Sequence, residues 1–354
     1  MLKSLGVTGK QFTMNILNGL AIGTVVSLIP GALLGELLKA IIPHIPCLVP
    51  LLRITLLCNS VMGLVIGALI GIAFKFTPVQ TASLGLAVLI GGGAFQGVSA
   101  EGVLSLKGTG DIINMGLVAA LGALIILLIG DKCRAYTILV IPLVSVFVAG
   151  GIGLVILPYV KQITHVIGLG VAKLTGLQPF LMVVLLAVVF AILIVSPITT
   201  VGIALAISLA GIGSGAANLG ITACGFGFCI AGWRVNSHGT SLAHFIGSPK
   251  ISMANVLAKP KILLPIICSA AVSGLAAPIF HITGTPMSAG FGLSGLIGPI
   301  NYLNLAKGGW TGLNLLWAAI AFVVIPVACG FFFTWLFRDV LHVVSADDYF
   351  IDVN

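Results

Sequence analysis

Long apolar runs dominate the sequence, and they are continuous rather than alternating, which favours helices over the strands of a β-barrel. A helix needs about 20 apolar residues to cross the hydrocarbon core of a bilayer. On this basis the sequence predicts ten hydrophobic elements: Asn15–Leu38, Leu48–Phe74, Val79–Phe95, Ile112–Gly130, Tyr136–Tyr159, Phe180–Val195, Ile198–Ile212, Ala216–Gly232, Ile262–Phe280 and Leu313–Phe337. Several are short, so we expect one or more half-helices or re-entrant hairpins. The predicted fold is an all-α polytopic membrane protein in two halves.

Glycine and proline interrupt the apolar pattern at four places: Ile90–Gly93, Ser196-Pro197, Gly211–Gly215 and Gly284–Gly298. Broken backbone at membrane depth is tolerated where protein buries it or where it lines a wet cavity. Transporters place substrate sites at such breaks, because the ends of half-helices offer unpaired N–H and C=O groups. The pattern therefore favours a transporter.

The polar positions divide the chain into a predicted N-terminal half (about 11–160) and a C-terminal half (about 178–337). The segment between them, 161–177, places basic side chains among apolar residues, which predicts an amphipathic helix lying in the membrane interface. Residues 338–354 form the most polar stretch and predict a short cytoplasmic tail. Lysines near the start of the chain favour a cytoplasmic N-terminus.

The composition strengthens this interpretation. Of 354 residues, 59% are hydrophobic and only 7% are charged, against roughly 25% charged in soluble domains. Too few charges remain to cover the surface of a soluble enzyme or a nucleic-acid-binding domain. The net charge, 16 − 8 = +8, comes from basic residues scattered near the ends of apolar runs. That distribution is typical of side chains that anchor a protein in membrane lipid.

Motifs for cofactors are absent from the sequence. The phosphate-binding pattern GxxxxGK[ST] does not occur, so an ATP-driven pump is not supported. GIGSGAANLG contains GxG but lies between apolar helices, where its small residues favour close helix packing. The seven cysteines form no CxxC pair. We therefore expect neither a cofactor nor a metal site.

A glycine-rich break in the first half carries one group of candidate binding residues. Glu101 lies there, with Gln96, Asp111 and Asn114 close in sequence. A carboxylate beside exposed backbone donors can hold sugar hydroxyls or accept a proton from one. The alternative is a surface loop with solvated charges.

The segment Gly232–Val256 carries a second group of candidates, Arg234, Asn236, His238 and Asn255, and contains no acidic residue. Such a segment suits a hydroxyl-rich or anionic ligand, or a phosphorylated protein surface. The first three occupy alternate positions, which would point them to one side of an extended segment. For His238 alone, a satisfied interfacial histidine is the alternative.

A series of motifs occurs in order along the chain: SPITT with Ser196-Pro197, the Gly/Ala-rich stretch Gly211–Ala217, the N-x-x-G element Asn236–Gly239, Gly247-Ser248, Asn255-Val256, Pro260, Pro265 and GFGLSGLIG from Gly290. Taken together, these motifs resemble the EIIC-like integral membrane family of the phosphotransferase system, which includes PfoR-type proteins. GDIINMGL and the ILVIP ending at Pro142 are similar to the family's N-terminal half.

The resemblance implies a IIC-type permease of the bacterial inner (cytoplasmic) membrane that binds and moves a sugar or polyol-like solute, and a homodimer. It makes the chain a candidate membrane component of a sugar phosphotransferase. No IIA or IIB domain is fused, so a phosphoryl donor would be a separate IIB phosphoprotein. Two alternatives stay open: a secondary carrier that works without phosphorylation, and a membrane solute sensor or regulator of the PfoR type.

Overall fold

The computed structural model describes residues 7–98, 102, 104–106 and 108–351, and these residues are almost entirely helical. The helices are α1 (Gly9–Ile41), α2 (Val49–Ser60), α3 (Met62–Ala73), α4 (Pro78–Gly91), α5 (Ile112–Ile129), α6 (Thr137–Val144), α7 (Gly151–Leu174), α8 (Pro179–Ile194), α9 (Thr200–Ala206), α10 (Gly211–Gly232), α11 (His238–Ile246), α12 (Met253–Ala258), α13 (Leu263–Gly274), α14 (Ala276–Ile279), α15 (Ile297–Leu305), α16 (Gly312–Ala319) and α17 (Ile325–Trp335). Strands β1 (Phe95–Val98) and β2 (Leu104–Leu106) form an antiparallel hairpin. The predicted all-α polytopic class is confirmed.

Ten membrane spans are not confirmed. In the described part of the chain, six helices or continuous helical runs are long and apolar enough to cross a membrane: Gly9–Ile41, Ile112–Ile129, Thr137–Leu174, Gly211–Gly232, Pro260–Ile279 and Gly312–Val340. A seventh span is obtained if Pro46–Ser60 and Met62–Ala73, which are bent by 51° at their junction, are counted as one broken span. This bent pair has the geometry of a re-entrant element. The apolar helices α4 and α8 are shorter than a full crossing.

The expected span Ile198–Ile212 is wrong. Pro197 lacks a backbone N–H and stops α8 from continuing, and α9 is only seven residues long. Ser208 and Gly211 then adopt positive φ angles of 51° and 64°, which a helix cannot accommodate. Pro197 therefore separates this apolar run from α8, and the break at residues 207–210 divides the run itself.

Two compact units make up the structure. Unit 1 consists of Met1–Gly31 and Cys47–Ile163, and unit 2 consists of Ala32–Pro46 and Thr164–Asn354. Unit 2 thus includes a segment from early in the chain. Of the expected amphipathic helix at 161–177, residues 161–174 form the last part of α7 and continue directly from the residues before them, and residues 175–177 form a turn. The predicted halves and the interfacial position of this segment stay predictions.

In unit 1, α3 packs closely against α4 because glycines line the contact. A Cβ atom at Gly67 would lie 2.7 Å from the Cα atom of Gly85 on α4. The hairpin β1–β2 follows α4, so the predicted run Val79–Phe95 ends as a helix at Gly91 and continues as a turn and a strand.

In unit 2, α10 is the central helix. It packs against α8, α13 and α17, and almost all of its residues are buried. A Cβ atom at Gly220 would clash with the carbonyl oxygen of Ala187 on α8. Small residues therefore bring these backbones together, as the sequence pattern GIGSGAANLG predicts.

Candidate functional site

Two irregular segments run side by side in unit 2. The first is the break between α9 and α10, residues 207–210. The second is residues 280–293, which follow α14. They are joined at Gly211 and Gly284, whose backbones exchange two hydrogen bonds of 2.9 and 3.1 Å. The unit thus holds backbone without regular structure next to its central helix.

Four uncharged polar residues, which we call the break cluster, meet at this junction: Ser214, Thr285, Ser288 and Asn301. Ser214 Oγ donates to the carbonyl of Thr285 at 2.9 Å, and Thr285 N donates to Asn301 Oδ1 at 2.9 Å. Ser288 Oγ lies 2.9 Å from the same amide oxygen. Hydroxyl and amide groups at a helix break are the kind of lining that binds a neutral, hydroxyl-rich ligand.

Asn218 extends this polar lining by one turn of α10. It lies four residues after Ser214, on the same face of the helix. Its Oδ1 accepts a hydrogen bond from Gly292 N at 3.0 Å, whereas its Nδ2, in a side chain that is 1% exposed, has no protein partner in the described part of the chain. A buried donor without a partner is uncommon in native proteins. A bound hydroxyl or water would satisfy it.

An open cleft of about 400 Å³ borders the break. Its lining consists of Thr175, Met182, Ile207, Ser208, Leu209, Ala210, Ile212 and Gly213. The volume falls in the range of about 300–1,000 Å³ that is usual for small-molecule sites, and the mostly apolar walls with a few polar groups are typical of them. The cluster side chains are not among these lining residues, but Gly213 of the lining directly precedes Ser214 of the cluster. We take the cleft and the break cluster as neighbouring parts of the candidate solute site.

Lys250 is a buried cation in the same unit. It is 3% exposed, and Nζ donates to the carbonyls of Ser196 at 2.5 Å and Ile198 at 3.1 Å. Burial lowers its pKa from 10.5 to about 7, and the nearby Cys224 opposes this effect. The adjacent His244 is also buried, which lowers its pKa to about 4, and its Nε2 lies 2.8 Å from Ser252 Oγ.

Two of the predicted binding residues hold the C-terminal segment Ser345–Ile351, which we call the tail strap. Asn236 Nδ2 donates to Tyr349 O at 2.9 Å and its Oδ1 accepts from Ile351 N at 2.8 Å. Asn255 Nδ2 donates to Phe350 O at 2.5 Å. Both amides therefore bind main chain of the protein itself.

Ion pairs complete the anchoring of the tail strap. Lys259 and Lys261 contact the two carboxylate oxygens of Asp348 at 2.9 and 2.8 Å. Burial alone would raise the pKa of Asp348, but these ammonium groups and the hydrogen bonds from Ser345 hold it below its usual range.

The predicted extended arrangement of Arg234, Asn236 and His238 is wrong. Residues 233–235 form a turn, and α11 begins at His238 because Ser237 caps it by accepting a hydrogen bond from Thr240 N. Arg234 is exposed, and the ring of His238 stacks on Trp233 with centroids 4.9 Å apart. The three side chains consequently make different contacts.

The first-half candidates lie in unit 1. Glu101 is outside the described residues, and of Gln96 only the main chain, in β1, is described. Asp111 caps α5 by accepting a hydrogen bond from Asn114 N at 2.9 Å. Asn114 is fully buried, and its Nδ2 donates to Gly91 O at 2.5 Å and Gly153 O at 2.9 Å. Asn114 thus ties α4 and α7 to α5.

Sequence reasoning did not select the break cluster, Asn218 or Lys250 as binding residues. A signal was present: the cluster lies at two of the glycine-rich interruptions, and Lys250 follows the Gly-Ser-Pro element of the predicted polar segment. Serine, threonine and asparagine are too common in helices for sequence alone to single them out.

Broken helices, a neutral polar cluster and a bordering cleft define a multi-pass membrane protein of the transporter class. The family model described as phosphotransferase system, EIIC matches residues 14–351. The chain therefore belongs to this family, as its motifs predict, and it is a membrane component of sugar transport by the phosphotransferase system. Searches of curated proteins and of solved structures find no match to the chain.

Proposed function

We propose that the chain is a permease of the bacterial inner membrane that binds a neutral sugar or polyol at the break of unit 2 and moves it across the bilayer. The observation that supports this is the break cluster: four uncharged hydrogen-bonding residues gathered at two interrupted helices beside a cleft of about 400 Å³. The unpartnered Nδ2 of Asn218 supplies a further donor for a hydroxyl group. A homodimer is part of the proposal, on the family resemblance.

Coupling to a separate IIB phosphoprotein is the second part of the proposal. An open cleft of about 340 Å³ borders the tail strap and is lined by Lys261, Arg338 and His342. Two of its cations are already paired, Lys261 with Asp348 and Arg338 with Asp339. Arg234 is exposed on the turn before α11, and an exposed guanidinium suits a phosphorylated partner surface and a phosphoryl group in transfer.

Solute binding can be tested by thermal unfolding of the full chain in detergent, in the presence of a panel of hexoses, hexitols and disaccharides. Asn301→Ala removes the acceptor shared by the break cluster, whereas Asn304→Ala removes an exposed side chain of the same helix that accepts from Trp310. Loss of a hydrogen bond to the site costs about 1–3 kcal/mol, or roughly 5- to 150-fold in affinity. Stabilisation by a solute should therefore weaken in Asn301→Ala and persist in Asn304→Ala. Equal binding by both variants would place the solute elsewhere.

Transport assays distinguish the proposed coupling from the two alternatives. Proteoliposomes should accumulate the bound solute in phosphorylated form only when phosphoenolpyruvate and a cytosolic fraction of the host are supplied. Uptake of unmodified solute without a phosphoryl donor would identify a secondary carrier. Binding without any flux would identify a sensor.

The binding roles predicted from the sequence stay predictions that the same assays test. They concern Gln96, Glu101, Asp111, Asn114, Arg234, Asn236, His238 and Asn255. Glu101→Gln should weaken solute binding with little change in thermal unfolding. For His238, alanine should reduce binding and glutamine should preserve it if the imidazole serves only as a hydrogen-bonding group. Unchanged binding in His238→Ala would leave the stacking on Trp233 as its role.

A further inference from the structure

Lys250 occupies a position that backbone carbonyls define. α8 ends at Ile194, and Pro197 has no N–H with which to continue a hydrogen-bonded turn. The carbonyls of Ser196 and Ile198, on either side of this proline, point their oxygens at Nζ of Lys250. These contacts join the broken end of α8 to the short helical turn Pro249–Ser252, more than fifty residues later in the chain.

Among the described residues, the helices that pack around this ammonium group bring thiols and imidazoles to it but no carboxylate. Three helices pack against the turn Pro249–Ser252, namely α10, α11 and α12. Their ionisable residues are Cys224 and Cys229 on α10 and His238 and His244 on α11, and α12 has none. In the described part of the chain, no carboxylate forms an ion pair with Lys250.

A permanent positive charge is expensive in such a place. A buried charge without a counter-charge costs free energy, and such a group commonly gives up its charge by losing or gaining a proton. Carbonyls at interrupted helices coordinate the coupling Na⁺ or H⁺ of transporters. A lysine that only caps a helix end does not require burial, because its long side chain can reach the last carbonyls from the surface.

We propose that Lys250 is a proton-binding site, and that the chain takes up and releases a proton at this residue as the solute moves. In the protonated state the ammonium group holds the Ser196 and Ile198 carbonyls. When the proton leaves, the neutral amine binds these carbonyls more weakly, and the start of α9 is freed. Because Thr200 Oγ1 on α9 donates to Gly290 O at 2.9 Å, this release reaches the irregular segment 280–293 that carries part of the break cluster.

The protonation of Lys250 can be tested without knowing the solute. The unfolded chain binds the lysine proton more tightly than the folded chain between about pH 7 and 10, since burial lowers the pKa in the folded state. The unfolding temperature of the full chain in lipid nanodiscs should therefore rise with pH from 7 to 9. Lys250→Met and Lys250→Arg should abolish this lysine-dependent rise, because one has no charge and the other keeps its charge throughout. Lys307→Met, which replaces an exposed lysine of the same unit, should follow the wild type.

Hydrogen exchange of the wild type provides a test that does not depend on the folding of Lys250→Met or Lys250→Arg. In the wild type, amide protection at residues 196–203, corrected for the intrinsic pH dependence of exchange, should fall as the pH rises through the titration of Lys250. The released state keeps the amine buried but lacks its carbonyl partners, so it holds the proton less tightly than the closed state; the sign is opposite to that of global unfolding, in which the amine enters water. Unchanged protection would show that the contacts do not depend on a proton, and would overturn the proposal.

Coupling to the solute is tested in proteoliposomes that contain a trapped pH-sensitive dye. With phosphoenolpyruvate and the cytosolic fraction supplied, the hexoses, hexitols and disaccharides of the panel should produce a proton flux in step with solute movement in the wild type and in Lys307→Met. Solute movement should continue without proton flux, or stop, in Lys250→Met. If the solute moves in the wild type without a proton flux, Lys250 is a structural cap. The same conclusion follows if the unfolding temperature of Lys250→Met depends on pH as that of the wild type does. Either result would leave the solute site at the break untouched, because binding there is measured separately.

Discussion

Replacement of Asn236 distinguishes anchoring of the tail strap from a role in solute binding. Its amide makes two hydrogen bonds to the strap, with Tyr349 O and Ile351 N. Each such bond contributes about 0.5–1.5 kcal/mol net, so Asn236→Ala should reduce the opening free energy of the strap by about 1–3 kcal/mol. Because a tenfold change corresponds to about 1.4 kcal/mol, amide exchange in the strap should become roughly 5- to 150-fold faster.

Hydrogen exchange of residues 345–351, followed by mass spectrometry on the full chain in detergent, measures this effect. Asn236→Asp is the graded variant, since it retains an acceptor for Ile351 N and loses the donor to Tyr349 O. His238→Ala is the matched control, because His238 is exposed and its recorded ring contact is to Trp233. If exchange in the strap is as slow in Asn236→Ala as in the wild type, the amide does not hold the strap, and the reasoning fails.

Three further predictions concern the tail strap and the packing of each unit. Asp348 has a pKa below that of an unfolded aspartate, so its ion pairs stabilise the strap above about pH 4 and are lost as the pH falls through the folded value. Proteolysis of the tail should therefore increase on acidification in the wild type. The variant Asp348→Asn should already be sensitive to proteolysis at pH 7. Asn114→Ala should lower the unfolding temperature by removing two buried hydrogen bonds, at about 0.5–1.5 kcal/mol for each, and Asn114→Asp should not restore it because its carboxylate cannot donate. Gly215→Ala should prevent stable folding, because its Cβ atom would clash with the carbonyl oxygen of Ile282 in the neighbouring segment. Gly239→Ala is the control: its Cβ atom would meet no atom within 4 Å, so expression and unfolding temperature should not change.

The helical elements could be predicted because each apolar run is long enough to form a helix of its own. Ala216–Gly232 and Ile262–Phe280 correspond closely to α10 and to the run Pro260–Ile279. The number of spans could not be predicted, since an apolar run shows that a segment is buried but not how it bends. At Ser208 the chain adopts a positive φ angle that its own residue type does not favour, so tertiary packing decides the conformation there.

The candidate site was harder to predict than the fold. Asn236 and Asn255 were selected as hydrogen-bonding residues in a segment without acids, and they do bind polar groups, but these groups are main-chain atoms of the tail strap. Which partner an amide finds depends on contacts about a hundred residues apart. In the same way, Ser214 and Thr285 become neighbours only because Gly211 pairs with Gly284.

The glycine-lined packing of α10 limits how unit 2 can move. Gly220 lies against the backbone of Ala187, Gly274 lies against Val183, and Gly227 lies against Ile266. Helices in such close contact cannot slide past one another without steric overlap, so we expect shear between α8, α10 and α13 to be disfavoured. We therefore expect rearrangement within the unit at its irregular segments, residues 195–199, 207–210 and 280–293. Spectroscopic labels that report such motion belong on those segments and not on α10.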